Sequence, residues 1–214
     1  VEVHRGDHVV VGGAGEDLLE EGVGDDVLDQ QLVARLAAAL SRLHLRGTRV
    51  VLVTSGAIAA ALAPLGLRRR PRDLETQQAA AAVGMGLLIR HYSDAFAEHG
   101  VNVAQLLLTV EDVLRPKTYR NALNTISRLF RLDVVPIINE NDTVATHEIR
   151  FGDNDRLAAL VAHLVRADAM VLLSDVDGLY TAHPETPGAE KLTLVDDIAE
   201  LAVDTSRVGS RVGT

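Results

Sequence analysis

The sequence predicts an α/β protein, a three-layer α/β/α sandwich around a mainly parallel sheet. Three observations predict it. Short runs such as Arg49-Val-Val-Leu-Val53 are apolar almost throughout, as strands buried on both faces are. Helical periodicity fills the intervals between such runs. Four apolar stretches also run into short polar loops: Thr54-Ser-Gly56, Asn139-Glu-Asn-Asp142, Gly152-Asp-Asn-Asp155 and Ser174-Asp175. Polar loops at the carboxyl ends of parallel strands are where open α/β sheets hold ligands. Strands alternating with helices imply right-handed crossovers.

The elements follow in order. His8–Val11 reads as a strand ending in the glycine-rich turn Gly12-Gly-Ala-Gly15. Leu28–Leu45 reads as a helix, with Leu28, Leu32, Leu36, Leu40 and Leu43 near one face. Arg49–Val53 is a strand and Gly56–Leu65 a helix. Leu74–Ala97 is a long alanine-rich helix interrupted at Gly84-Met-Gly86. Val101–Leu108 is a strand, Tyr119–Phe130 a helix and Val134–Ile138 a strand. Pro136 argues against a central place for that last strand, because proline cannot donate to a ladder. Arg156–Val165 is a helix and Ala169–Leu173 a strand. His183–Gly188, with Pro184 and Pro187, is a loop. The polar tail after Asp204 reads as a frayed end.

Composition narrows the function classes. A chain of 214 residues suits one large domain or two small ones, and a single domain over 1–214 is expected. Hydrophobic residues make up 47% and aromatics 3%, so aliphatic packing dominates. The net charge of −9 repels nucleic acid, and Arg68-Arg-Arg-Pro-Arg72, the one basic cluster, reads as a solvated loop. With no cysteine, disulfides, thiol catalysis and cysteine-bound zinc are excluded. No apolar run is long enough for a membrane span. The acidic N-terminal stretch is not a secretory signal. A cytoplasmic location is expected. The histidines show no metal-ligand spacing, and no metal ligand is assigned.

The polar loops carry the candidate chemistry. Ser55 either caps the helix that follows or belongs to a helix start that holds an anion. Asn139-Glu-Asn-Asp142 supplies acceptors suited to an ammonium group, or is an Asx-rich turn. Asp153, Asn154 and Asp155 exceed what one helix cap needs. Ser174 and Asp175 end a strand where a nucleotide could sit. The run Ser174-Asp-Val-Asp177-Gly178 lacks the ligand spacing of an EF-hand. Gly12-Gly-Ala-Gly15 is a weak phosphate-loop candidate, matching neither the dinucleotide pattern nor the lysine-bearing Walker pattern.

Taken together these segments resemble the amino acid kinase family. Val-Thr-Ser-Gly-Ala-Ile-Ala (53–59), Gln-Leu-Leu-Leu-Thr (105–109), Asn-Ala-Leu-Asn-Thr (121–125), Val-Pro-Ile-Ile-Asn-Glu-Asn-Asp (135–142), Gly-Asp-Asn-Asp (152–155) and Asp-Val-Asp-Gly-Leu-Tyr-Thr (175–181) carry the resemblance in order from about Leu28 onward. It implies ATP-dependent phosphorylation of the γ-carboxylate of L-glutamate to an acyl phosphate, the first step toward proline. By resemblance, Ser55, Asp142 and Asn154 bind glutamate, with Asn139 and Asp153 beside it. Asp155 organises the catalytic cations, and Mg2+ assists the transfer. Ser174, Asp175, Gly12 and Gly13 meet ATP. The expected partners are L-glutamate and ATP, in a homo-oligomer, with neither nucleic acid nor membrane. The alternatives are a non-catalytic glutamate- or nucleotide-binding protein, or another kinase of this fold.

Two departures bear on activity. The first lysine of the chain is Lys117 and the next is Lys191, so glycine, Gly12 in the favoured register, stands where the family's first strand ends in lysine. The chain also stops at Gly213-Thr214, inside the family's Gly-Thr-Gly-Gly-Met segment, so the fold is expected to be incomplete at the C-terminus and to lack the second catalytic lysine. Losing one preorganised cationic donor costs about 2.7–4 kcal/mol of barrier. Impaired catalysis is therefore expected.

Overall fold

A computed structural model describes residues 3–13, 30–144, 154–174 and 177–197. The chain divides into two compact units, one running through Leu173 and the other starting at Ser174.

The first unit is built on five parallel strands: β1 (His8–Gly13), β2 (Arg49–Val53), β3 (Asn102–Leu108), β4 (Val134–Glu140) and β5 (Ala169–Leu173). Their order is β3-β4-β2-β1-β5. The first strand in sequence is thus internal, with Val9 facing Val50 on one side and Ala169 on the other. The helices are α1 (Gln30–Leu45), α2 (Ala57–Leu62), α3 (Leu74–Ala97), α4 (Val110–Leu114), α5 (Pro116–Arg131) and α6 (Asn154–Val165), with a 3-10 turn at Asp142–Val144.

Alternate strand residues feed two cores. Val9, Val11, Val50, Leu52 and Ile137 pack with Val33, Leu40, Leu88, Tyr92 and Phe96 from α1 and α3. Val10, Val51, Val53 and Ile138 pack with Val113, Ile126, Leu157 and Val161 from α4, α5 and α6. This is the expected three-layer arrangement. Two-sided burial explains why β2 keeps the bounds read from the sequence; β5 keeps its bounds as well, although it is an edge strand whose Met170, Val171 and Leu172 are exposed.

Four local readings need correction. Pro136 lies in β4, an internal strand. The ladder from β4 to β2 starts at Leu52↔Ile137, one residue past the proline, so the missing N–H falls outside that ladder. The helix α3 is continuous through Gly84 and Gly86. A Cβ on Gly84 would lie 1.6 Å from the Ala57 carbonyl oxygen, so this glycine lets α3 and α2 touch backbone to backbone. The short helix α4 was not foreseen. Thr109 and Asp112 close a capping box at its start, with Asp112 N–H donating to Thr109 Oγ1 at 3.1 Å and Thr109 N–H to Asp112 Oδ2 at 2.9 Å. Pro116 starts α5 one turn before Tyr119, as its fixed φ allows.

The second unit contains a small antiparallel pair, β6 (Leu179–Tyr180) with β7 (Lys191–Leu192). Lys191 Nζ donates to Asp177 Oδ2 and Tyr180 OH to Asp177 Oδ1, both at 2.8 Å. The bond from Lys191 holds the Asp177 carboxyl below its usual range.

Candidate active site

Topology brings most of the candidate residues to one edge. Strands β2 and β4 are adjacent, with Val53 opposite Ile138 and Thr54 N–H donating to the Ile138 carbonyl at 2.9 Å. Ser55 and Asn139 therefore stand on neighbouring strand tips. The helix α6 links parallel strands β4 and β5, so it runs back against the sheet and its first residue, Asn154, lies at the same carboxyl edge. The 24 residues of α3 span about 36 Å, against about 23 Å for a seven-residue strand. It ends just before β3, so its first turns overhang the carboxyl edge and pack on the 3-10 turn that begins at Asp142.

This edge is polar and buried. Ser55, Asn139, Glu140, Asp142 and Asn154 are each less than a tenth exposed. Asn139 and Glu140 are the last residues of β4 itself, opposite Leu107 and Leu108 of β3, and not part of a loop after the strand as the sequence suggests. Asn139 Nδ2 and Asn154 Oδ1 have no hydrogen-bond partner among the described residues. A buried amide group left so costs about 1–3 kcal/mol, which is recovered when a ligand supplies the partner.

Asp142 has an unusual electrostatic setting. Burial pushes its carboxyl up to about 6, and the Arg70 guanidinium pulls the other way. Arg70 is therefore not merely part of a solvated loop: it is half-buried and acts on the site, while Arg68, Arg69 and Arg72 are exposed. No pattern in the sequence marks it, because it is brought to Asp142 by the entry into α3.

Tyr92 was also missed. It is fully buried in α3 and its hydroxyl lies 3.1 Å from Thr54 Oγ1. Burial pushes its pKa up to about 12, with the Thr54 hydrogen bond opposing. Thr54 Oγ1 also donates to the Ser55 carbonyl at 3.2 Å. This chain of contacts braces the loop that carries Ser55 from behind. Tyr92→Phe should cost about 1 kcal/mol, read as a lowered urea midpoint, and should weaken ligand binding at Ser55 by less than the loss of Ser55 itself. A midpoint equal to the parent's would show that the hydroxyl pair contributes nothing.

The other predicted residues stand as follows. Asp155 is exposed in the first turn of α6. Gly12 and Gly13 end β1 between β2 and β5. A Cβ on Gly12 would lie 2.3 Å from Ala158 Cβ of α6, and one on Gly13, at φ 88°, would lie 2.0 Å from the Leu173 carbonyl oxygen. The β1 end is therefore pressed between α6 and β5, with no room for a side chain at Gly12 without movement of α6. Ser174 opens the second unit and is exposed. Asp153 and Asp175 lie outside the described residues. Among the described residues no cluster of three acidic or histidine side chains could hold a metal ion, and no helix is long and apolar enough to cross a membrane.

A family model described as the amino acid kinase family matches residues 10–211. The chain belongs to the amino acid kinase family. Curated relatives within it include the glutamate 5-kinases of Cutibacterium acnes, 59% identical over 187 residues, and of Streptomyces coelicolor, 57% identical over 189 residues. These alignments cover 87% of this chain and 48% and 50% of the relatives. The chain thus spans about half the length of the curated relatives it matches. Among solved structures, the carbamate kinase from Giardia lamblia bound to AMP-PNP superposes with a TM-score of 0.62 at 18% identity, covering 87% of this chain and 77% of that one. At that identity the likeness shows the amino acid kinase fold.

Proposed function

We propose that this amino acid kinase chain binds L-glutamate at the carboxyl edge of its sheet, as part of an ATP-dependent transfer to the γ-carboxylate that opens proline biosynthesis. The observation that carries the reading is the buried polar set Ser55, Asn139, Asp142 and Asn154, with Asn139 Nδ2 and Asn154 Oδ1 unpartnered among the described residues. Together they offer acceptors for an ammonium group and donors for a carboxylate. The high identity to glutamate 5-kinases supports glutamate as the amino acid. Asp153 would lie beside the substrate. Ser174, Asp175, Gly12 and Gly13 would meet the nucleotide.

Mg2+ is typically held by one or two carboxylates together with substrate phosphates. The exposed Asp155 supplies one such carboxylate, which fits that donor set. Bound metal would neutralise charge on the transferred phosphoryl group. The chain's own part is to hold the amino acid and keep its γ-carboxylate in line. A cytoplasmic location and a homo-oligomeric assembly belong to the same proposal.

A second reading is binding without turnover. It is favoured by Gly12, which has neither an ammonium group nor room for one, and by Lys191, whose ammonium group is engaged by Asp177. Calorimetry and ADP release on the same preparation separate the two. L-Glutamate should bind roughly tenfold or more tighter than L-aspartate, which is one methylene shorter. Equal binding of the two amino acids would remove the glutamate assignment. Selective binding with no glutamate-dependent ADP release would favour the second reading.

A further inference from the structure

The amino edge of the sheet, opposite the candidate active site, holds a second polar feature. The starts of β1 and β2 and the last turns of α5 enclose a pocket of about 310 Å³ lined by His8, Arg49, Ser127, Phe130 and Arg131. His8 and Arg49 are register partners at the first positions of their strands. An Arg49 terminal nitrogen lies 3.2 Å from His8 Nε2. The Phe130 ring sits 5.5 Å from the imidazole, tilted by 59°. Among the described residues neither Arg49 nor Arg131 is paired with a carboxylate. In a chain of net charge −9, two arginines that line one cavity and are in no ion pair among the described residues are a local exception, the nearby Asp168 being turned to His8 instead.

We propose that this pocket is a binding site for a small oxyanion, a phosphate or carboxylate group carried on an apolar body. Guanidinium groups present planar pairs of donors that match both kinds of oxyanion. Ser127 lines the same pocket and brings a hydroxyl donor. Phe130 forms an apolar wall, and the cavity is roomier than a bare anion needs. The carboxyl end of α5 opposes an anion through its dipole. Arg128 and Arg131, both in that last turn, counter it.

His8 links the site to protons. The charged groups acting on it are Arg49 from β2, Asp168 ahead of β5 and Asp7 ahead of β1, and Arg131 from α5 lines the same pocket. Asp168 Oδ2 accepts the His8 backbone N–H at 2.7 Å and lies 3.7 Å from Nδ1. Burial first, and then Arg49, hold the imidazole below its usual range, while Asp168 and Asp7 pull it up. The ring is therefore neutral at pH 7, with Nε2 accepting from Arg49. An anion that takes over the Arg49 donors frees Nε2 to bind a proton, and the protonated ring becomes a further donor. Anion binding and proton uptake should go together.

The test is an NMR titration of the full chain with inorganic phosphate and, separately, acetate, reading the His8 ring resonances assigned by His8→Gln. The expected result is a saturable shift, with acetate, whose own charge is constant over this range, binding more tightly at pH 6 than at pH 8, and with affinity for either anion about tenfold weaker in Arg49→Met and in Arg131→Met. Arg49→Lys, which keeps the charge and loses the fork, should fall between. Tighter phosphate binding would mark a phosphoryl ligand and tighter acetate binding a carboxylate ligand. Both arginines are exposed, so the variants should fold. Absence of a saturable shift at His8, or saturation unchanged in both methionine variants, would overturn the proposal and leave the arginines as solvated chain.

Discussion

Gly84→Ala should lower the unfolding free energy by about 3 kcal/mol, the upper end of ordinary overpacking. In an isolated helix the same change would add about 1 kcal/mol, because alanine is the better helix former. Sterics decide the sign here. The new Cβ would sit 1.6 Å from the Ala57 carbonyl oxygen, a backbone atom in the first turn of α2 that cannot rotate away. The helices must part, and α2 carries the loop of Ser55 with it, so ligand binding should weaken along with stability. Gly86→Ala is the control in the same helix. Its Cβ would meet nothing within 4 Å, and it should hold or gain up to about 1 kcal/mol. Urea midpoints of the two variants check this. A Gly84→Ala midpoint at or above the parent's would show slack between the helices that the geometry denies.

Asp142→Asn should act in opposite directions on stability and on binding. The folded carboxyl titrates at about 6 against 3.8 in an unpaired state. Between those values the folded chain holds a proton that the unfolded chain has released, so unfolding free energy falls as pH rises through that window. The penalty is complete above about pH 6 and absent below about pH 4. Removing the charge should therefore stabilise the variant at pH 8 by roughly 1–3 kcal/mol, and the gain should vanish at low pH. Glutamate binding should weaken by about 2–5 kcal/mol, the usual loss when one member of a buried charged pair is removed. Thermal melts across pH and calorimetry on one preparation read both effects. A variant that loses stability at pH 8, or binds glutamate as the parent does, would show that Asp142 is a structural acid.

The inner strands were legible because β1, β2 and β4 are buried on both faces, which writes a continuous apolar run into the sequence at β2; β5 was legible as an apolar run although its middle residues are exposed. The bounds of α3 were legible too, since Asp73 caps it, accepting from Thr76 N–H at 2.9 Å. What escaped were features settled by neighbours. Pro136 is tolerated because the ladder to β2 begins after it, and pairing register is not written locally. Gly84 looks like a helix breaker until α2 is laid against it. At the candidate site, Ser55, Asn139, Asp142 and Asn154 were legible as polar residues following apolar runs. Arg70 and Tyr92 were not, because each meets its partner across tens of residues of chain.

The internal place of β1 has a consequence for synthesis. Its partner β2 emerges from the ribosome soon after it, but the other flank waits for β5, about 160 residues later, where Val9 meets Ala169. At about 5–20 residues per second that wait is about 8–32 s. Throughout it, one side of a buried internal strand has its backbone donors and acceptors open. The first strand to be made is thus the internal strand that waits longest for its second partner, and the pace of translation over residues 50–170 becomes a determinant of yield.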